Sequence, residues 1–189
     1  MIDLPFTLAV TRAAPSHIAA VAAVSFDAVA EAPALLGRFL LACSVSGLLA
    51  AVAMDVPMSQ GDDGFTPAYV ATAVLKRTTP SEVTFAAAMV VHHVVGILAG
   101  GLYGVVYLSA SSLFPDVMAV GGVALVPHLA ATIAVAAFVY GFFAHFVLPR
   151  AGRRIYEERA TAVRGQWLRA AVVFGVGVGV IVPTLTTAL

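Results

Sequence analysis

Charge is scarce in this sequence where a soluble domain could least do without it: residues 83–149 hold one formally charged side chain, Asp116, in 67 positions. Soluble domains carry charge at about a quarter of their positions. Here 11% are charged and 61% hydrophobic, with a mean hydropathy of +0.99, so a water-soluble domain is excluded and a polytopic helical membrane protein is expected. The single cysteine, Cys43, excludes an internal disulfide and multi-cysteine metal patterns. Asparagine is absent, so no N-glycosylation acceptor exists. Net charge is zero, which gives no nucleic-acid footprint. Neither G-x-S-x-G nor HExxH occurs, and Ser44, Ser46 and Ser59 have no nucleophile context. The first ten residues lack the basic and apolar regions of a cleaved signal peptide. Lysine is nearly missing too, one against nine arginines, a bias that suits a GC-rich prokaryotic genome.

What is there is apolar and long. A hydrocarbon core of about 30 Å needs about 20 apolar residues per helix, and four segments supply them: residues 35–56, 81–108, 117–148 and 168–188. The second opens with Thr79, Pro80 and Glu82, which read as N-cap, N1 proline and the N3 acid of a capping box. Pro127 should kink the third span by freeing the carbonyl of Val123, and Pro149 should end it. The expected fold is a single membrane domain over residues 1–189, an all-α, four-span antiparallel bundle with short amphipathic interfacial helices. Thr66 and Pro67 open one such helix, running to Lys76 with Tyr69, Val70, Ala73 and Val74 on its apolar face. Residues 150–164 form another, supported by Arg153 with Glu157 and Arg154 with Glu158 and closed by Gly165. A surface helix is expected over residues 16–31, because Arg12, Pro15, His17 and Asp27 interrupt any further span.

Orientation follows from the basic residues. Lys76, Arg77 and six arginines between Arg150 and Arg169 lie on one side of the expected bundle, against Arg12 and Arg38 on the other. The positive-inside rule then makes the loop 149–167 cytoplasmic, leaves both termini outside and makes residues 1–34 an extracytoplasmic segment.

Two patterns carry the functional question. Along the second span Ala88, His92, Gly96, Gly100 and Gly104 recur every fourth residue, a ridge of small side chains that lets another backbone approach. Gly141 with His145 on the third span, and Gly175 with Gly179 on the fourth, repeat the spacing. The second pattern is histidine: His92, His93, His128 and His145 all fall within the nearly uncharged stretch. An ionisable group in a membrane is costly unless it faces a partner or a cavity. Counted from a turn near Asp116, His93 matches Tyr140 in depth and Tyr103 matches His128, so His–Tyr hydrogen bonds are expected. At about 100° per residue, however, His128 and Tyr140 lie about 120° apart around their helix.

Asp55 lies near the same inner end as His92, His93 and His145. Two imidazoles and a carboxylate can hold a divalent metal or relay a proton. Equally, Asp55 can pair with Lys76, Arg77 or Arg150, because a helix C-terminus disfavours an unneutralised carboxylate. A bis-histidine haem b site drawn from His92 or His93 with His145 is a third reading, set back by an offset of about 7 Å in depth.

The phrase Gly47-Leu48-Leu49-Ala50-Ala51-Val52-Ala53-Met54, with the later Leu102-Tyr103-Gly104, resembles the small four-helix inner-membrane families of unknown function found in prokaryotes. That resemblance implies architecture and no chemistry. The leading expectation is a structural, assembly or accessory role in a prokaryotic cytoplasmic membrane, with the bilayer, a second copy or a membrane subunit as partner and no cofactor. A proton or solute pathway is the alternative, and a haem or metal redox subunit stands third.

Overall fold

A computed structural model of the chain describes residues 26–152 and 154–188. The chain divides into two compact units, residues 1–35 and 36–189, and the side-chain contacts described below lie in the second. Helices α1 (Phe26–Ser59), α2 (Thr66–Lys76), α3 (Phe85–Ser111), α4 (Leu125–Gly141), α5 (Leu148–Ala151) and α6 (Arg154–Thr186) carry the fold. Two-residue strands β1 (Ala119–Val120) and β2 (Val123–Ala124) form a hairpin, and a π-helical segment, Phe142–Val147, joins α4 to α5. The fold is an all-α bundle with four stretches long and apolar enough to cross a membrane: Pro33–Ser59, Phe85–Ser111, Leu125–Ala151 and Arg154–Thr186. Large apolar side chains such as Leu41, Val90, Leu98, Ile133 and Val176 point outward, the reverse of a soluble bundle.

Small residues hold the inside together. Lipid tails are as apolar as leucine, so membrane helices associate through close packing and hydrogen bonds. A Cβ placed on Gly47 would come within 2.7 Å of Gly100 Cα, and one on Gly104 within 3.3 Å of Cys43 Sγ. Gly96 in turn meets the side chain of Ala51. The contacts step by four along both helices in opposite directions, so α1 and α3 run antiparallel with their backbones nearly touching. Gly47, which supplies half of this seam, is absent from the ridge read in the sequence. Gly177 likewise packs on Ala50, its Cβ position 2.9 Å from that side chain. Gly175 and Gly179 face α4 more loosely, 3.3 Å from Ala136 and 3.9 Å from Thr132 respectively. Gly141 has open space where a Cβ would go and takes no part in packing.

The ends of the helices depart from expectation for local reasons. Thr79 and Glu82 do form a capping box, with the Glu82 carboxylate accepting the Thr79 N–H at 3.1 Å, but the box closes only a 3-10 turn over Pro80–Glu82. Val83 is extended, and α3 starts after Thr84, whose hydroxyl accepts the Ala87 N–H at 3.3 Å. Residues 119–124 are a hairpin rather than the start of the third span. Gly121 and Gly122, at φ +57° and +77°, supply the two left-handed positions of a type I′ turn. Pro127 therefore falls in the first turn of α4, where its missing N–H has no helical partner to lose. The irregularity sits instead before Pro149, which cannot donate to the His145 carbonyl; the ladder there loosens into the π segment.

At the opposite end from the hairpin, α2 packs one face into the bundle: Ala68, Val70, Thr72 and Ala73 are buried, while Val74 is exposed. Gly165 does not close a helix. The chain runs through it as α6, with one break from helical geometry at Arg159, whose guanidinium pairs with Asp63. Arg154 and Glu158 pair at 3.1 Å. Arg153, and residues 16–25 of the expected surface helix, lie outside the described residues, while residues 26–31 belong to α1.

Because the α1–α3 seam leaves no room for a side chain, Gly100→Ile should force the helices apart. Overpacking of this kind costs about 1–3 kcal/mol and should lower the thermal midpoint in detergent. Leu98, 66% exposed two residues away, should accept isoleucine with little change. Equal tolerance at both positions would show that the seam does not form.

Candidate functional site

The deep polar groups fall into two sets with different chemistry. In the first, Tyr103 on α3 and His128 on α4 are both buried, and Tyr103 Oη lies 2.5 Å from His128 Nδ1. The other ring nitrogen, Nε2, lies 3.0 Å from the carbonyl oxygen of Gly179 on α6. A carbonyl only accepts, so Nε2 carries the proton and Nδ1 accepts from the tyrosine hydroxyl. The neutral imidazole is thereby satisfied on both sides, and it ties three helices together. Nearby, Tyr107 Oη accepts the Ala124 N–H at 2.9 Å and Thr186 Oγ1 donates to Gly121 O at 2.6 Å, fixing the hairpin to α3 and α6.

The second set is Asp55, His92 and His93, one ligand-type atom from each lying within 4.8 Å of the others. Asp55 sits one turn before the end of α1, and the histidines sit in the third turn of α3. His93 Nε2 lies 3.0 Å from Asp55 Oδ2, and His92 Nε2 lies 3.4 Å from Asp55 Oδ1. His92 Nε2 also donates to the carbonyl of Ala51 at 3.2 Å. With that N–H aimed at Ala51, Asp55 Oδ1 is buried without a hydrogen bond, although the imidazole stands close by. The side chains are partly accessible, 10% for His92 and 28% each for His93 and Asp55. The i+4 ladder that pairs Gly47 with Gly100 and Ala51 with Gly96 continues for one more step to Asp55 and His92.

Other residues singled out in the sequence lie elsewhere. Tyr140 does not meet His93: its ring stands edge-on to His145, centroids 5.8 Å apart. His145 is exposed on the π segment and does not belong to the Asp55 group. Arg150 does not reach Asp55; it donates to the Phe146 carbonyl at 3.0 Å and covers the Phe146 ring. Ala88 is fully buried below the histidines, in a cluster with Met58, Ala68 and Ala170.

Beside the site is a cavity of about 80 Å³, lined among others by His92, Met54, Tyr140, Phe143 and Trp167. The Trp167 Nε1 donor is buried and without a partner. Pockets for drug-sized ligands span about 300–1,000 Å³, so this space is of a size for water or a small molecule. Comparison with known protein families, curated proteins and solved structures gives no match.

The three-helix bond at His128 is testable by a double-mutant cycle. Tyr103→Phe and His128→Ala should each destabilise the protein, and together they should cost less than the sum of the two. Hydrogen bonds between membrane helices average about 0.6 kcal/mol and reach about 1.7, which sets the expected coupling, read from unfolding in mixed detergent. Additive losses would show that the two groups act separately.

Proposed function

We propose that this chain is a small multi-pass membrane protein with an accessory or assembly role, acting as a rigid bundle in the bilayer rather than as a permeation route or a catalyst. The observation that supports this most is the α1–α3 seam, which closes to backbone contact over Gly47, Ala51, Gly96 and Gly100. A route for protons or solutes needs polar groups continued from one face to the other. In this bundle Tyr103 and His128 are engaged by neighbouring helices and Ser46 by the Ala42 carbonyl of its own helix, and the ionisable groups Asp55, His92 and His93 lie together at one end.

The basic residues favour placing that end in the cytoplasm. Lys76, Arg77 and the arginines from Arg150 to Arg169 make eight basic residues against Arg12 and Arg38 on the other side. The near absence of lysine beside nine arginines favours a prokaryotic membrane. A second reading, a proton-handling protein, draws on the partly accessible carboxylate–imidazole group alone.

Proteoliposomes separate the two readings. Vesicles holding the pure protein should dissipate an imposed pH gradient no faster than protein-free vesicles. A leak that disappears in His92→Ala would overturn the accessory reading in favour of the proton-handling one.

Orientation has its own test. On a Cys43→Ala background, single cysteines at the exposed positions Ser112 and Ala188 should react with a membrane-impermeant thiol reagent in intact cells, and those at Ser59 and Thr161 only after lysis. The reverse pattern would place the basic end outside.

A further inference from the structure

Asp55 has two features that ordinary ion pairing leaves unexplained. It lies in the last turns of α1, where the carbonyl end of the helix disfavours a negative charge, and the groups that reach it are two imidazoles rather than a lysine or arginine. Adjacent residues on a helix diverge by about 100°. Even so, His92 and His93 bend back to the same carboxylate, each presenting Nε2.

We infer that Asp55, His92 and His93 form a binding site for a divalent transition-metal ion of the zinc class. Zinc binds imidazole nitrogen and carboxylate oxygen at about 2.0–2.2 Å in tetrahedral geometry, which separates neighbouring ligand atoms by about 3.3 Å. Each imidazole nitrogen lies near that distance from one oxygen of Asp55, 3.4 Å to Oδ1 for His92 and 3.0 Å to Oδ2 for His93, and one ligand atom from each residue lies within 4.8 Å of the others. A cation among them would replace the Nε2 protons, neutralise the carboxylate at the helix C-terminus and give the unbonded Asp55 Oδ1 a partner. The donor set is chemically selective: two imidazoles and one carboxylate suit zinc, cobalt, nickel or copper, whereas magnesium and calcium require mostly oxygen. Three protein ligands leave a fourth position open. His92 also lines the adjoining cavity of about 80 Å³, well above the about 10–15 Å³ that a water needs, so an exchangeable ligand has room beside the site. The site stands on its own residues and does not depend on an accessory role for the bundle.

Cobalt is the probe, because tetrahedral cobalt(II) absorbs in the visible. Tag-free full-length protein, stripped with a chelator in detergent, should take up one equivalent of Co²⁺ with a visible band that Zn²⁺ removes by competition. Zn²⁺ should also raise the thermal midpoint. His93→Ala and Asp55→Asn should abolish the band and the thermal shift, with at least ten-fold weaker uptake, whereas His145→Ala and His17→Ala should retain both. If either site variant loses its helical circular dichroism, His92→Gln and His93→Gln read the same outcome. A wild-type protein with neither band nor shift would overturn the site, and so would a band that survives in the folded His93 and Asp55 variants. In the first case the three residues serve as a hydrogen-bonded clasp only.

Discussion

The approach of α1 to α3 at glycine distance is the constraint from which the rest of the arrangement follows. A glycine seam has little freedom to slide, because each Cα on one helix occupies the space that a Cβ on the other would need. Gly47 against Gly100 and Ala51 against Gly96 therefore fix the register of two long helices to a single value. One further step of four on each helix brings Asp55 opposite His92, with His93 alongside. The packing that holds the bundle together is thus also what assembles its open polar group.

The two histidine sets show how burial in a membrane sorts polar groups. His128 has both ring nitrogens engaged, by a tyrosine hydroxyl and a backbone carbonyl. With both ring nitrogens engaged, this residue acts as a cross-tie between three helices. His93 engages the Asp55 carboxylate through Nε2, whereas His92 turns its Nε2 proton to the Ala51 carbonyl and Asp55 Oδ1 remains unsatisfied. One arrangement is closed to chemistry. The other has an acceptor to spare and partial access.

Much of this was legible in the sequence because it depends on spacing alone. The every-fourth-residue ridge on α3 identifies the face that meets another helix, and equal counts from the turn place Tyr103 level with His128. Depth, however, is only one coordinate. Tyr140 matches His93 in depth, but at about 100° per residue it points about 120° away from His128 around the helix, and its ring turns to His145 instead. Long apolar runs also conceal where a helix begins. Val123 and Ala124 read as the body of a span, yet they pair as a strand because Gly121 and Gly122 permit a tight left-handed turn. That dipeptide between apolar residues was the available signal for the hairpin. It also moves Pro127 from mid-helix to a first turn, which removes the kink it would otherwise impose. Gly141 shows the converse error: glycine at the right spacing is not packing unless a partner helix lies on that side.

The choice of histidine rather than lysine opposite Asp55 follows from the surroundings. A lysine on α3 would neutralise the carboxylate permanently and would bring a compact, strongly hydrated charge into a half-buried seam. An imidazole costs less to bury because it can be neutral, and its ring is held where the glycine packing sets it. Two neutral imidazoles leave the carboxylate's charge uncompensated against the carbonyl end of α1. In the proposed site a positive charge from outside would complete the arrangement, as a metal ion shared by both rings rather than a proton on one. A proton satisfies one ring–carboxylate contact at a time. A divalent ion uses all three donor atoms at once, and both the convergence of Nε2 from adjacent residues and the unsatisfied Oδ1 fit the ion better than the proton.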